Sequence, residues 1–226
     1  MKQRRKGITL IELLVSIGIM LMLSVILHSV FTIALRGWRK ADNMLQVTTI
    51  ARVVLERMTR EISSAMIKPG SDSYYCVGFD KSSPSGWRTN SIADEFYFIA
   101  PLKTGNPEGS DICEVGYWLD GQGTSQSSDD ILRRLYVTNS KGTVSFDFKF
   151  ETGRSDEFSL NITNLEFTFF DSGDNAYTTW DSSSSGSGVP PAKIKILITV
   201  AVGKGTEETN PDFITKDFST VVSLPR

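Results

Sequence analysis

Histidine is nearly absent from this 226-residue chain: His28 is the only one, and it lies in the first apolar stretch. Everything beyond it therefore lacks Ser-His-Asp and Cys-His catalysis of the usual kind, together with the commonest zinc ligand. Cysteine is scarce too. Cys76 and Cys113 form no C-x-x-C pair. In an exported domain that even number allows one disulfide, provided the two Cα atoms lie within about 4.4–6.8 Å. No glycine-rich loop joins a strand to a helix as a phosphate site requires. A net charge of only −2 argues against a nucleic-acid partner. No cofactor is expected.

Proline and charge are missing where the chain is most apolar. Between Ile8 and Leu35 there is no proline, and Glu12 is the one residue with a full charge at neutral pH. A spanning helix needs about 20 mostly apolar residues, so this stretch crosses a bilayer with some to spare. No small-residue A-x-A site follows Leu35, as an ordinary secretory signal would need. The order is reversed: a basic arm (Lys2, Arg4, Arg5, Lys6), then Gly7, then the apolar run. A short basic arm is expected to stay in the cytoplasm, while the long domain that follows crosses regardless of its charge. Cutting at Gly7 would leave the anchor in place.

Helical periodicity continues past the apolar run. Val47, Ile50, Ala51, Val54, Leu55, Met58, Ile62 and Ala65 recur at three- and four-residue steps and mark one apolar face. Arg52 with Glu56, Glu56 with Arg60 and Arg57 with Glu61 place opposite charges four apart, support expected on the exposed side. Pro69-Gly70 is the expected stop. Together the two stretches predict one helix of some 60 residues, roughly 90 Å at 1.5 Å per residue.

After Pro69 the pattern turns to alternation. Glu95–Ala100, Ile112–Leu119, Ile131–Thr138, Thr143–Glu151, Phe158–Phe170, Lys193–Val202 and Asp212–Leu224 read as strands. The expected fold is α+β: a long N-terminal helix whose outer half packs on an antiparallel β-sheet domain. The expected divisions are a leader over 1–7, a transmembrane half-helix over 8–35, an amphipathic outer half over 36–67, and the sheet domain over 68–226.

Residues Lys6–Ser16, KGITLIELLVS, resemble the start of the prepilin family, the type IV pilins and the pseudopilins of type II secretion. The family pattern is a basic leader ending in glycine, a hydrophobic first mature residue, and glutamate at the fifth mature position. Glu12 is fifth counting from Ile8; the family usually begins with phenylalanine, so Ile8 is a departure. The resemblance implies cleavage between Gly7 and Ile8 by a prepilin peptidase and N-methylation of Ile8. It also implies a pairing of Glu12 with the new terminal amine of a neighbouring subunit. Each residue type has a physical reason. Glycine lets a protease approach the bond closely, and a carboxylate inside a spanning helix costs about 2.5–3.5 kcal/mol, so it is kept for use.

The latter half is similar to the minor pseudopilin J of type II secretion, in ARVVLERMTREISSAM, in LEFTFFDSGD followed by Trp180, and in PPAKIKILITV with its closing FSTVVSLPR. The resemblance implies a non-enzymatic subunit of the inner membrane, with its globular domain periplasmic. It would assemble with sibling major and minor subunits near the tip of a secretion filament. A minor pilin that primes a type IV pilus shares this layout. A membrane-anchored hydrolase or sugar-binding domain is the alternative of another class.

Carboxylates are the one plentiful reactive group outside the membrane segment. Asp94-Glu95, Asp129-Asp130 and Asp156-Glu157 are expected to be solvated turn residues. Asp171, Asp174 and Asn175 around Gly173 offer oxygen ligands for calcium, but their spacing departs from the calcium-loop pattern. A plain turn is expected there.

Overall fold

The computed structural model describes residues 9–66, 76–79, 93–101, 109–121, 131–140, 154–182, 189–203 and 213–224. The chain divides into two compact units, Met1–Asp42 and Asn43–Arg226, and helix α1, Leu10–Ser63, contributes to both.

In the first unit α1 is mostly apolar from Leu10 to Leu35, and those residues are exposed along nearly the whole stretch. It is long and apolar enough to cross a membrane, and none of its most apolar window is buried. In the second unit one stripe goes inside: Val47, Ala51, Val54, Met58 and Ile62 are buried at the expected helical steps. The helix stops at Ser63, before the expected Pro69-Gly70. Ser64 and Ala65 close the last turn through N–H bonds to Arg60, Glu61 and Ile62 carbonyls. The Met66 N–H then crosses to the Ile99 carbonyl at 2.8 Å, committing the chain to the sheet.

Ten strands follow among the described residues: β1 Cys76–Phe79, β2 Glu95–Pro101, β3 Gly109–Asp120, β4 Ile131–Ser140, β5 Arg154–Leu160, β6 Ile162–Phe170, β7 Ala176–Tyr177, β8 Trp180–Asp181, β9 Lys193–Val202 and β10 Ile214–Ser223. They form two antiparallel sheets, ordered β5-β4-β3-β2-β1-β8 and β10-β9-β6-β7. Alternation is clean in β9, where Ile194, Ile196, Ile198 and Val200 are fully buried, because one face meets the core and the other does not.

The stretch expected as one strand, Phe158–Phe170, is two strands in two different sheets. Asn161 breaks it with φ 66°, a left-handed conformation that asparagine tolerates better than most residues. The expected strand Thr143–Glu151 lies outside the described residues. Three short strands, β1, β7 and β8, are too brief to show a period.

The core joins the buried helix stripe to both sheets in one cluster. Phe96 anchors it, with ring centroids 5.2 Å from Phe98, 5.3 Å from Phe167 and 5.5 Å from Phe169. Gly78 on β1 is what admits Phe169 from the other sheet, since a Cβ there would fall 2.1 Å from the ring. Four residues on the opposite face of the larger sheet, Tyr97, Ile99, Trp118 and Leu135, make a second small cluster.

Candidate functional site

The first turn of α1 is built on Thr9-Leu10-Ile11-Glu12. The Thr9 backbone N–H and its hydroxyl both donate to Oε2 of Glu12 at 2.9 Å. The Glu12 N–H donates back to Thr9 Oγ1 at 3.4 Å, and the Leu13 N–H reaches the Thr9 carbonyl at 3.2 Å. This is a reciprocal capping box, with Thr9 at the N-cap and Glu12 at the third helical position. It satisfies amides that have no partner within the helix and sets a negative charge at the positive end of the helix dipole.

Thr9 is not among the expected site residues, although T-x-x-E before an apolar run is the sequence signature of such a box. Oε1 of Glu12 has no intrachain partner among the described residues, so half of the carboxylate's accepting capacity is left over. Lys2, Arg4, Arg5, Lys6, Gly7 and Ile8 lie outside the described residues.

A second polar group sits at the other end of the helix. Glu61, expected on the exposed side, is buried at 6% exposure. Its Oε2 accepts from the Tyr117 hydroxyl and from Arg134 Nε at 2.8 Å. Its Oε1 faces Arg57 Nε at 3.4 Å, and that guanidinium lies 4.9 Å over the Phe158 ring. Burial, then the Glu61 charge, hold the Tyr117 phenol well above its ordinary value. For Arg134 burial works against the charged form, but the Glu61 carboxylate outweighs it and the guanidinium's value is raised. A carboxylate held this way fastens the helix to the larger sheet; it offers no poised acid or base.

Two other carboxylates expected in solvated turns are also inside. Asp94 and Glu95 are buried. Asp94 accepts the Phe167 N–H at 2.8 Å, and Glu95 accepts the Tyr97 hydroxyl at 2.8 Å. The first bond spans the two sheets. Of the remaining expected turn pairs, Glu157 is exposed on β5 and Asp129-Asp130 lie outside the described residues.

The Asp171 segment is the plain turn. Asp171 Oδ1 accepts the Gly173 and Asn175 N–H groups, and Oδ2 accepts the Asn175 side-chain amide at 2.8 Å. The Asn175 side-chain and backbone bonds pull the Asp171 carboxyl below its ordinary range. Asp174 pairs with Lys193 at 2.8 Å. These bonds close the hairpin, and no group of three His, Cys, Asp or Glu that could hold a metal ion is present among the described residues. Trp180 covers the sheet edge, packed against Phe169 and Tyr177.

The allowed disulfide is not formed. Cys76 and Cys113 are separate buried thiols. Cys76 pairs with Phe98 and Cys113 with Ala100, on opposite sides of β2. A whole strand stands between them, and neighbouring strands are about 4.8 Å apart. Burial pushes the Cys76 thiol up to about 12, so it is inert as a nucleophile.

Residues 2–27 match the family model for the prokaryotic N-terminal methylation motif. No curated protein matches the chain. Among solved structures, a type IV-like pilin from Thermus thermophilus is similar at TM-score 0.44 and 12% identity, over 80% of this chain and 96% of that one. The motif covers the basic arm, Gly7, the capping box and most of the apolar run, features of a structural subunit and not of an enzyme. Residues 2–27 thus carry an N-terminal methylation motif of the prepilin type.

Proposed function

We propose that the protein is a minor pilin-like subunit of the type II secretion kind, similar to minor pseudopilin J, that joins sibling pseudopilins near the tip of a periplasmic filament. A prepilin peptidase cuts between Gly7 and Ile8, Ile8 is N-methylated, and residues 8–35 anchor the product in the inner membrane. Lys2, Arg4, Arg5 and Lys6 hold the cleavage site at the cytoplasmic surface. The sheet domain, 68–226, stands outside. Residues 36–67 join the two.

The observation that carries this reading is the state of Glu12. Its carboxylate heads an apolar helix, fixed by Thr9 through Oε2, with Oε1 left over. A methylated amine from a neighbouring subunit supplies the missing cation, and the low dielectric of lipid strengthens that pairing. The capping box fixes the direction in which the carboxylate is offered. Binding partners thus enter in one register.

Intact mass of the membrane-extracted protein tests the processing: Met1–Gly7 absent and one methyl added on Ile8. A full-length chain retaining Met1 overturns it. Glu12→Gln tests assembly separately, with processing kept and incorporation into filaments lost. A minor pilin priming a type IV pilus is the second reading, favoured by the same motif. Deleting the gene separates them: impaired export of folded proteins supports secretion, whereas loss of surface pili with export intact supports the pilus.

A further inference from the structure

The membrane segment of α1 carries polar residues at four-residue steps: Ser24, His28 and Thr32. Such a row is an i±4 ridge on the helix surface. Its hydroxyls are already satisfied inward. Ser24 donates to the Met20 carbonyl at 2.9 Å and Thr32 to the His28 carbonyl at 2.8 Å. Their oxygens keep lone pairs facing outward.

His28 differs. It is exposed, and among the described residues its ring has no hydrogen-bond partner. A neutral imidazole carries one N–H donor, and leaving it unpaired in hydrocarbon is costly. Reaching water is the other escape, but Arg36, the first basic residue beyond, is eight positions on, about 12 Å along the helix. Histidine lacks the long stem by which lysine and arginine snorkel over such a distance.

We infer that this ridge is a contact between two copies of the chain, in which the His28 N–H of one helix donates to the Ser24 or Thr32 hydroxyl oxygen of the other. The ridge is self-complementary. Donor and acceptors lie one turn apart on the same face, so a parallel two-fold pair satisfies both imidazoles at once. Ser24 is small enough to let the backbones approach, and i±4 ridges that interdigitate cross at about −50°. The inference rests on the membrane-anchored reading above and adds a storage form: subunits held in pairs in the bilayer before assembly.

The test uses the full chain in vesicles of phosphatidylethanolamine and phosphatidylglycerol. A cysteine is placed either at Leu35, seven residues on and on the His28 face, or at Ile33, on the opposite side. Cys76 and Cys113 are buried and stay silent. Mild oxidation is expected to link Leu35→Cys chains into a species of twice the mass and to leave Ile33→Cys chains single. Adding His28→Leu lowers the linked fraction about three- to thirty-fold, the worth of one interhelical hydrogen bond in lipid. His28→Gln retains it.

Equal linking at both positions overturns the inference, as does a His28→Leu chain that links as before. So does a product in native membranes that contains only a different polypeptide. Sedimentation with the vesicles separates the two readings. A chain that does not sediment refutes the anchor, whereas a sedimenting His28→Leu chain with unchanged linking refutes only the pair.

Discussion

The two ends of α1 are one continuous helix with opposite relations to their surroundings. Around Met20 the side chains are exposed on every side, at 71% for Met20 itself. Around Met58 one stripe is fully buried and the other carries Arg57, Arg60 and Glu56. Both methionines are good helix formers, so propensity does not tell them apart. What differs is the medium each half needs: lipid for one, aromatic sheet for the other. Where the chain supplies its own core, polar residues sort to the outer side. Where it supplies none, the few polar residues left must find partners beyond the chain or within the backbone.

That contrast can be broken most severely at Glu61. Glu61→Ala leaves Arg134 buried without its carboxylate and is expected to lower the stability of the sheet unit by about 3–5 kcal/mol. The denaturant midpoint of the detergent-solubilised full chain measures it. A double Glu61→Leu, Arg134→Met variant is expected to recover much of the loss, because no uncompensated charge remains.

Met58→Ala comes next, at about 2–5 kcal/mol for a fully buried side chain, while Met20→Ala leaves the same midpoint unmoved. Equal effects at the two methionines would mean that the exposed half is also held by the chain's own packing.

Alkaline titration sharpens the contrast further. Cys76, raised to about 12 from 9.0 by burial, and Tyr117, raised from 10.0, bind their protons more tightly folded than unfolded. Their contribution is complete below about pH 9 and is lost as pH climbs toward 12. Cys76→Ala is expected to flatten the fall in stability between pH 9 and 11. The membrane half has no such buried acid group and should keep its helicity across that range.

The smallest effect belongs to Thr9. Thr9→Val removes the N-cap hydroxyl, worth about 0.5–2 kcal/mol, and is expected to speed amide exchange at Leu10–Glu12 without altering the sheet unit. A slowed exchange would show that the cap is not what orders the first turn.

Much of this was legible from residue order alone. The apolar run, its basic arm, Glu12 and the outer stripe from Val47 to Ile62 follow from composition and a period that one helix can carry. Long strands were legible for the same reason: the alternation in Lys193–Val202 is local. Asn161 was not, because a single left-handed residue leaves no period behind, yet it sends β5 and β6 to different sheets. The buried positions of Glu61, Asp94 and Glu95 were not legible either. Arg134 and Phe167, the partners of Glu61 and Asp94, come from other parts of the fold; Tyr97 bonds Glu95 within β2, but the burial of that strand is set by its place between β1 and β3.

What the amino-acid order settled by itself is a basic arm, a glycine, and an apolar helix headed by an acid, since length and hydropathy decide membrane entry before any tertiary contact exists. Only the folded arrangement decided that Cys76 and Cys113 stay apart, with β2 between them, and that Asp171 closes a turn. Those outcomes depend on which strands become neighbours, a matter of long-range pairing that no local pattern encodes.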